Sequence, residues 1–147
     1  MTELEDFCSE IARELGIELK TTCDDEWHLI EGENERVCIS YQTDKQDSEK
    51  YTELLNIREK KAEASVGIAN YVGYDHVKGI NLQVKLPSIC YDEYLAKLDE
   101  KSELAGIVKR SFEKFRNHDA GSLKWFCTYP RLESLDGVKE LIYELLA

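Results

Sequence analysis

The sequence has few of the residues that usually interrupt a domain. It contains two prolines, and no segment rich in serine and glycine divides its 147 residues. Hydrophobic residues make up 42% of the chain and are spread along its whole length. This composition is sufficient for one hydrophobic core and is atypical of a disordered chain. We therefore predict a single domain over residues 1–147.

Long apolar segments and paired cysteine motifs are also missing. No run of 18 or more apolar residues occurs, so no transmembrane helix is expected. The first ten residues, MTELEDFCSE, lack the basic start and apolar stretch of a secretory signal. The five cysteines are an odd number, and none has the C-x-x-C spacing typical of zinc or redox sites. These features predict a cytoplasmic protein with reduced thiols, no metal and no cofactor.

The clearest local pattern is an N-terminal helix over residues 2–15. Thr2 and Glu5 have the spacing of a capping box, and Gly16 follows as a C-cap. Three strands are predicted next, at 17–23, 26–31 and 36–42, with a turn at 32–35. In the second of these, Trp27, Leu29 and Glu31 share one face. Residues 49–63 have apolar side chains at helical spacing, so a second helix is predicted there.

The rest of the chain predicts a mixture of strands and helices. A second hairpin is expected over 63–88, with its turn between Asp75 and Gly79. Ser88 and Ser102 are candidate N-caps of helices that reach Leu98 and Arg116. A strand over 122–130 and a helix over 135–146 complete the order α-β-β-β-α-β-β-α-α-β-α. Short turns between consecutive strands predict an α+β fold, with a mainly antiparallel sheet of five to six strands and helices packed against it.

The net charge of −11 is confined to the first half of the chain. Residues 1–75 carry 19 acidic and 8 basic side chains, whereas residues 76–147 carry 11 of each. An acidic half of this kind repels free nucleic acid and anionic membranes. Neither is therefore expected as a direct partner, and a basic protein is the partner that the charge favours.

Carboxylates are densest between residues 21 and 38. A calcium loop needs ligands at alternate positions around a tight bend, and the segment Glu31 to Glu35 is too short to surround an ion. The alternatives left open are a solvated hairpin tip that blocks edge pairing and an interface for a basic partner. Trp27 lies among these acids, and tryptophan often anchors interfaces. The predicted partner-binding residues are Asp24, Asp25, Glu26, Trp27, Glu31, Glu33 and Glu35.

One segment resembles the metal site of a nuclease family. Gln83-Val84-Lys85 lies on a predicted strand, and Asp75 precedes it across a turn. This arrangement resembles the D…(E/Q)-x-K motif of the PD-(D/E)XK nucleases. The resemblance implies a metal ion held by acidic groups and a lysine that positions or polarises the attacking water.

No sequence motif for nucleophilic catalysis or phosphate binding is present. We therefore expect a non-catalytic protein-binding module, such as an inhibitor or immunity protein that engages a basic, nucleic-acid-acting partner. Two alternatives remain: a metal-dependent nuclease, and a protein similar to the type III secretion chaperones. The predicted order of elements in the first hundred residues is similar to that of these small acidic chaperones, and the resemblance implies a homodimer.

Overall fold

A computed structural model describes residues 2–23, 27–44, 49–73, 79–98, 102–116 and 124–146. Within these ranges the chain forms four helices and eight strands. The helices are α1 (Glu3–Glu14), α2 (Tyr91–Ala96), α3 (Glu103–Arg116) and α4 (Val138–Leu146). The strands are β1 (Lys20–Cys23), β2 (Trp27–Glu33), β3 (Val37–Asp44), β4 (Tyr51–Glu59), β5 (Ser65–Val72), β6 (Gly79–Pro87), β7 (Trp125–Thr128) and β8 (Arg131–Leu132).

The strands form one antiparallel sheet in which chain order and spatial order are the same. β1 to β7 are successive neighbours, and β8 pairs with β6 beside β7. The predicted α+β class with an antiparallel sheet is confirmed. The sheet is larger than the five to six strands predicted, because β4 and β8 were not recognised as strands. The observed order over the described residues is α-β-β-β-β-β-β-α-α-β-β-α.

The helix predicted over 49–63 is wrong, because this segment is the central strand β4. Leu55 and Ile57 are buried on one face of the strand, whereas Leu54 and Asn56 are exposed on the other. β4 is hydrogen-bonded to β3 on one side and to β5 on the other. Such pairing outweighs the weak intrinsic preference of Glu, Leu and Lys for helix. The similarity in element order to secretion chaperones depended on this helix and is lost with it.

Helix α1 follows its sequence signals closely. Thr2 is the N-cap, and its hydroxyl accepts a hydrogen bond from the Glu5 N–H at 3.1 Å. Gly16 has φ 69°, the left-handed conformation that glycine adopts most easily after a helix. Ser102 has the capping role predicted for it, and its hydroxyl accepts from the Ala105 N–H at 3.5 Å. Ser88 does not, because Cys90 is the N-cap of α2 and the Ser88 hydroxyl donates to the Lys124 carbonyl.

The hydrophobic core lies between the helices and one face of the sheet. The apolar face of α1 contributes Leu4, Cys8, Ile11 and Ala12, and α4 contributes five buried residues. The sheet contributes alternate residues of its central strands, as the strand period of two requires. These residues are Val37, Ile39, Tyr41, Leu55, Ile57, Val66, Ile68, Leu82, Val84 and Leu86.

The helices of the described residues pack on the same side of the sheet. α1 reaches it through Thr2, whose hydroxyl donates to Glu53 on the core face of β4. α2 and α3 reach it at the other end, where Tyr91 contacts the ring of Phe126 and Ser111 hydrogen-bonds to the buried Thr128. We call the opposite face, which carries Ser40, Gln42, Asn56 and Gln83, the outer face. Within the described ranges no helix packs on it.

Candidate binding site

Of the predicted partner-binding residues, those that the structure describes lie on β2 and in the turn that follows it. Asp24, Asp25 and Glu26 fall outside the described residues, and Trp27 is the first residue of β2. The predicted turn at 32–35 is displaced, because β2 continues to Glu33. Glu31 and Glu33 are therefore strand residues, paired with Ser40 and Cys38 of β3, and both are exposed on the outer face. Glu35 is exposed in the turn that follows.

Asn34 holds the turn between β2 and β3. Its side-chain oxygen accepts from the Arg36 N–H at 2.8 Å and from the Val37 N–H at 2.9 Å. Its side-chain amide donates to the Leu15 carbonyl at 3.1 Å, so the turn is also fastened to the end of α1. An asparagine that accepts from the backbone two and three residues ahead is typical of tight turns. The turn fixes the register that places Glu31 and Glu33 on the outer face.

Basic residues of β1 and of the segment just after β4 lie near these carboxylates. Lys60 Nζ is 3.2 Å from Glu33 Oε2, and Lys20 is paired in register with Glu31 across β1 and β2. The hydrogen bond from Lys60 is the largest of the effects that lower the pKa of Glu33, and a hydrogen bond from Cys38 is the second. The charge of Glu33 is thus partly balanced by Lys60. The sequence did not predict this, because the lysines are close to the glutamates only in the folded sheet.

An open groove of about 650 Å³ connects these residues. Its acidic side chains are Glu18, Glu31 and Glu33, and its basic side chains are Lys20 and Arg58. Gly32 also lines it, at the point where the backbone of Glu18 crosses close to β2. The groove therefore has three carboxylates beside two basic groups, and the carboxylates can accept hydrogen bonds from a cationic group.

The residues that resemble the nuclease motif lie on β6. Gln83 and Lys85 are two residues apart and therefore share the outer face, as that motif requires. Asp75 lies outside the described residues. The Lys85 Nζ is 4.2 Å from the centre of the Trp125 ring on β7, a cation–π contact. In the described part of the chain, no three acidic, cysteine or histidine side chains lie close enough together to hold a metal ion.

A second cluster, on the core face, was missed by sequence reasoning. Glu53 of β4 is 2% exposed, and it accepts hydrogen bonds from Thr2 Oγ1, Tyr41 Oη and Asn70 Nδ2. Burial is the main cause that raises the pKa of Tyr41, and the hydrogen bond to Glu53 raises it further. The signal in the sequence was the alternation Glu53, Leu55, Ile57, which places a carboxylate on an apolar strand face. The helix predicted here concealed it.

Comparison of the chain with models of known protein families, with curated proteins and with solved structures finds no match. The class of protein is therefore defined by the fold alone, as a two-layer α+β domain with an antiparallel sheet. None of the helices in the described ranges combines the length and apolar character needed to cross a membrane.

Proposed function

We propose that the protein is a non-catalytic binding module that engages a basic protein partner through the outer face of β2. The observation that carries this proposal is the placement of Glu31 and Glu33. They are exposed, two residues apart on one strand, and they line one groove with Glu18. Glu35 extends the same acidic edge into the next turn.

The sheet gives these carboxylates a rigid setting. β2 is paired on both sides, with β1 and with β3, so its side chains are held at a fixed spacing. Carboxylates held at fixed positions on such a surface steer a basic partner into register and raise its association rate. The proposed interface also includes Asp24, Asp25, Glu26 and Trp27.

The ion pair between Lys60 and Glu33 is compatible with this role. Glu33 is exposed, and exposed ion pairs contribute little to stability because water solvates both charges well. A partner's arginine can take the place of Lys60 and form a bidentate contact with the carboxylate. A partner that normally binds nucleic acid offers such arginines, so an inhibitor or immunity protein of a nucleic-acid enzyme fits the proposal. The proposed setting is the cytoplasm, since the four cysteines with described side chains are free.

The test is charge reversal with a matched control. The variant replaces Glu31, Glu33 and Glu35 by lysine. The control replaces Glu113, Glu133 and Glu140 by lysine, which changes the net charge equally at exposed positions on α3, after β8 and on α4. Tagged proteins are used for affinity capture from extracts of the native cells at low and high salt, and the captured basic protein is then purified.

The expected result is that the parent and the control capture one basic protein at low salt, and that the variant does not. With the purified partner, the association rate should fall in the variant and lose most of its salt dependence, with the dissociation rate changed less. Circular dichroism and the melting temperature check that all three proteins are folded. If the variant captures the same proteins as the parent, the carboxylates only solvate the surface.

A second candidate is the metal-dependent nuclease, and the observation that favours it is the shared outer face of Gln83 and Lys85. In this reading Asp75 and Gln83 would hold a Mg²⁺ ion and Lys85 would orient water. Incubation of the protein with plasmid DNA and Mg²⁺ or Mn²⁺ tests it. Cleavage that is lost in Lys85→Ala would replace the binding proposal with this one.

A further inference from the structure

Glu53 is a buried carboxylate whose described partners are all uncharged. Two of them are hydroxyl groups, from Thr2 and Tyr41, and the third is the side-chain amide of Asn70. Neutral donors solvate a carboxylate but do not cancel its charge. Burial of a charge without an opposite charge is costly, and buried charges in proteins are usually paired with an opposite charge or bound to a metal ion.

A cavity of about 210 Å³ borders this carboxylate. The residues that line it include two acidic ones, the buried Glu53 and the exposed Glu3, and the aromatic Tyr51. No lysine, arginine or histidine is among the described residues that line it. The remaining walls are mainly apolar, and they include Leu4, Ile68, Val72, Ile80 and Leu135.

The hydrogen bonds of Glu53 leave capacity for a further donor. An ionised carboxylate has about four lone-pair positions. Among the described residues, Thr2 and Tyr41 both donate to Oε2, and only Asn70 donates to Oε1. Oε1 can therefore accept one more N–H.

We infer that this cavity binds a small primary alkylammonium ion. Its N–H groups would reach Glu53 Oε1, its charge would be balanced by Glu53 and Glu3, and its alkyl chain would contact Leu4, Val72 and Ile80. An anion would be repelled by the two carboxylates, and a neutral alcohol would leave their charge unbalanced. Tyr51 adds an aromatic ring, which attracts cations. The volume is below the roughly 300–1,000 Å³ of pockets for larger ligands, so a chain of about four carbons is the expected size.

The first test compares two ligands of nearly equal shape in an NMR titration of the ¹⁵N-labelled protein. n-Butylammonium chloride is the cationic probe, n-butanol is its neutral counterpart, and sodium chloride controls for ionic strength. Saturable shifts are expected with n-butylammonium in the amides of β4, β5 and the start of α1. Binding of n-butanol should be at least about tenfold weaker, as expected for loss of a hydrogen bond to a charged group. Equal affinity for the two probes, or no saturation with the ammonium, overturns the inference.

Two variants then test where the ligand binds. Glu53→Gln keeps the side-chain shape and removes the charge, and it should lower n-butylammonium affinity at least about tenfold. Leu135→Phe narrows the cavity without touching the carboxylate, and it should lower the affinity similarly. Ile107→Phe, on an exposed position of α3, is the matched control and should bind as the parent does. If Glu53→Gln does not fold, the comparison of the two probes and the affinity of Leu135→Phe still test the inference. Unchanged affinity in Leu135→Phe shows that the cation binds elsewhere and overturns the assignment.

Discussion

Glu53 and Asn70 face each other across β4 and β5, and the Asn70 side-chain amide donates to Glu53 Oε1 at 2.8 Å. The other carboxylate oxygen accepts from Tyr41 on β3 and from Thr2 at the start of α1. Three strands and one helix therefore meet at a single buried carboxylate. Since the Thr2 hydroxyl also accepts from the Glu5 N–H, the cap of α1 and its attachment to the sheet depend on the same group.

We predict that Glu53→Ala destabilises the protein by about 3–5 kcal/mol, because it leaves the buried Tyr41 hydroxyl and the half-buried donors of Thr2 and Asn70 without their acceptor and opens a cavity. The measurement is urea-induced unfolding followed by circular dichroism. Asn56→Ala, on the exposed outer face of the same strand, is the control and should change stability by less than about 0.5 kcal/mol. Equal effects of the two substitutions would contradict a structural role for the carboxylate.

Gly32 and Gly67 provide a second matched pair of substitutions. A Cβ at Gly32 would lie 2.5 Å from the Glu18 carbonyl oxygen and 2.7 Å from Ile17 Cγ2, so the segment that covers β2 would have to move. Gly32→Ala should cost about 1–3 kcal/mol, the usual range for overpacking. At Gly67 the nearest atom is Asn56 Oδ1 at 3.4 Å. Gly67→Ala should be neutral or stabilise by up to about 1 kcal/mol, since alanine restricts the unfolded chain.

Urea unfolding of both variants is the measurement for this pair. Both variants replace glycine by alanine, so the difference between their free energies of unfolding reports the close approach of Glu18 to β2. A Gly32→Ala variant as stable as Gly67→Ala would mean that residues 17 and 18 do not lie against the strand.

Local sequence signals were sufficient to predict α1, but they led to a wrong prediction for β4. Thr2, Glu5 and Gly16 act on their immediate neighbours, so the beginning and end of α1 could be predicted from the sequence. The segment 51–59 has residues that suit a helix, and it becomes a strand because β3 and β5 pair with it on both sides. Such long-range pairing leaves little trace in a single sequence.

The candidate site, too, was predictable only where it depends on residues that are close together in the sequence. The alternation along β2 was enough to predict that Leu29 and Glu31 lie on the same face of the strand. The position of Lys60 beside Glu33 was not predictable, because the two residues are 27 positions apart in the sequence and β3 and β4 lie between them. Partners that come from distant strands depend on register, and register follows from the complete sheet.

Lys139 of α4 joins the last helix to the first. Its Nζ is 2.8 Å from Glu10 and 2.9 Å from Glu14, and the Tyr143 hydroxyl donates to Glu14 at 2.9 Å. The hydrogen bond from Lys139 and then the hydrogen bond from Tyr143 lower the pKa of Glu14 below its ordinary value of 4.5. Because the pKa of Glu14 is lowered in the folded protein, the bonds from Lys139 and Tyr143 stabilise the fold fully above pH 4.5. This stabilisation is lost as the pH falls through the lowered pKa of Glu14.

We therefore predict that Lys139→Met lowers the melting temperature at pH 7, and that the difference from the parent shrinks as the pH is reduced to 3. Both groups are exposed enough for salt to screen them, so 1 M NaCl at pH 7 should shrink the difference too. Scanning calorimetry of the two proteins at both pH values is the measurement. A difference that is the same at pH 3 and pH 7 would show that Lys139 stabilises the helices by packing alone.

Cys8 and Cys38 should differ in reactivity. Burial, and to a smaller extent the charge of Glu5, raise the pKa of Cys8 to about 11, so its thiolate is scarce at pH 8. Cys38 is half-buried on the outer face, with its Sγ 3.5 Å from Glu33 Oε2 and 3.6 Å from Arg58 Nη2. Iodoacetamide at pH 8 should label Cys38 in the folded protein and Cys8 only as the protein unfolds. Peptide mapping by mass spectrometry, with and without urea, is the measurement, and prompt labelling of Cys8 without urea would contradict its burial.

The contact of Lys85 with Trp125 distinguishes the two proposed functions. If Lys85 serves the sheet, Lys85→Met should lower stability by about 0.5–1 kcal/mol, the range of exposed cation–π contacts, and a double-mutant cycle with Trp125→Leu should recover that amount as coupling. We also expect no Mg²⁺-dependent cleavage of plasmid DNA by the parent protein. If Lys85 is coupled to Trp125 and the parent protein does not cleave DNA, Lys85 has a structural role. The proposed interface on β2 then stands. Cleavage that disappears in Lys85→Ala, with no measurable coupling to Trp125, would instead place the chemistry on β6.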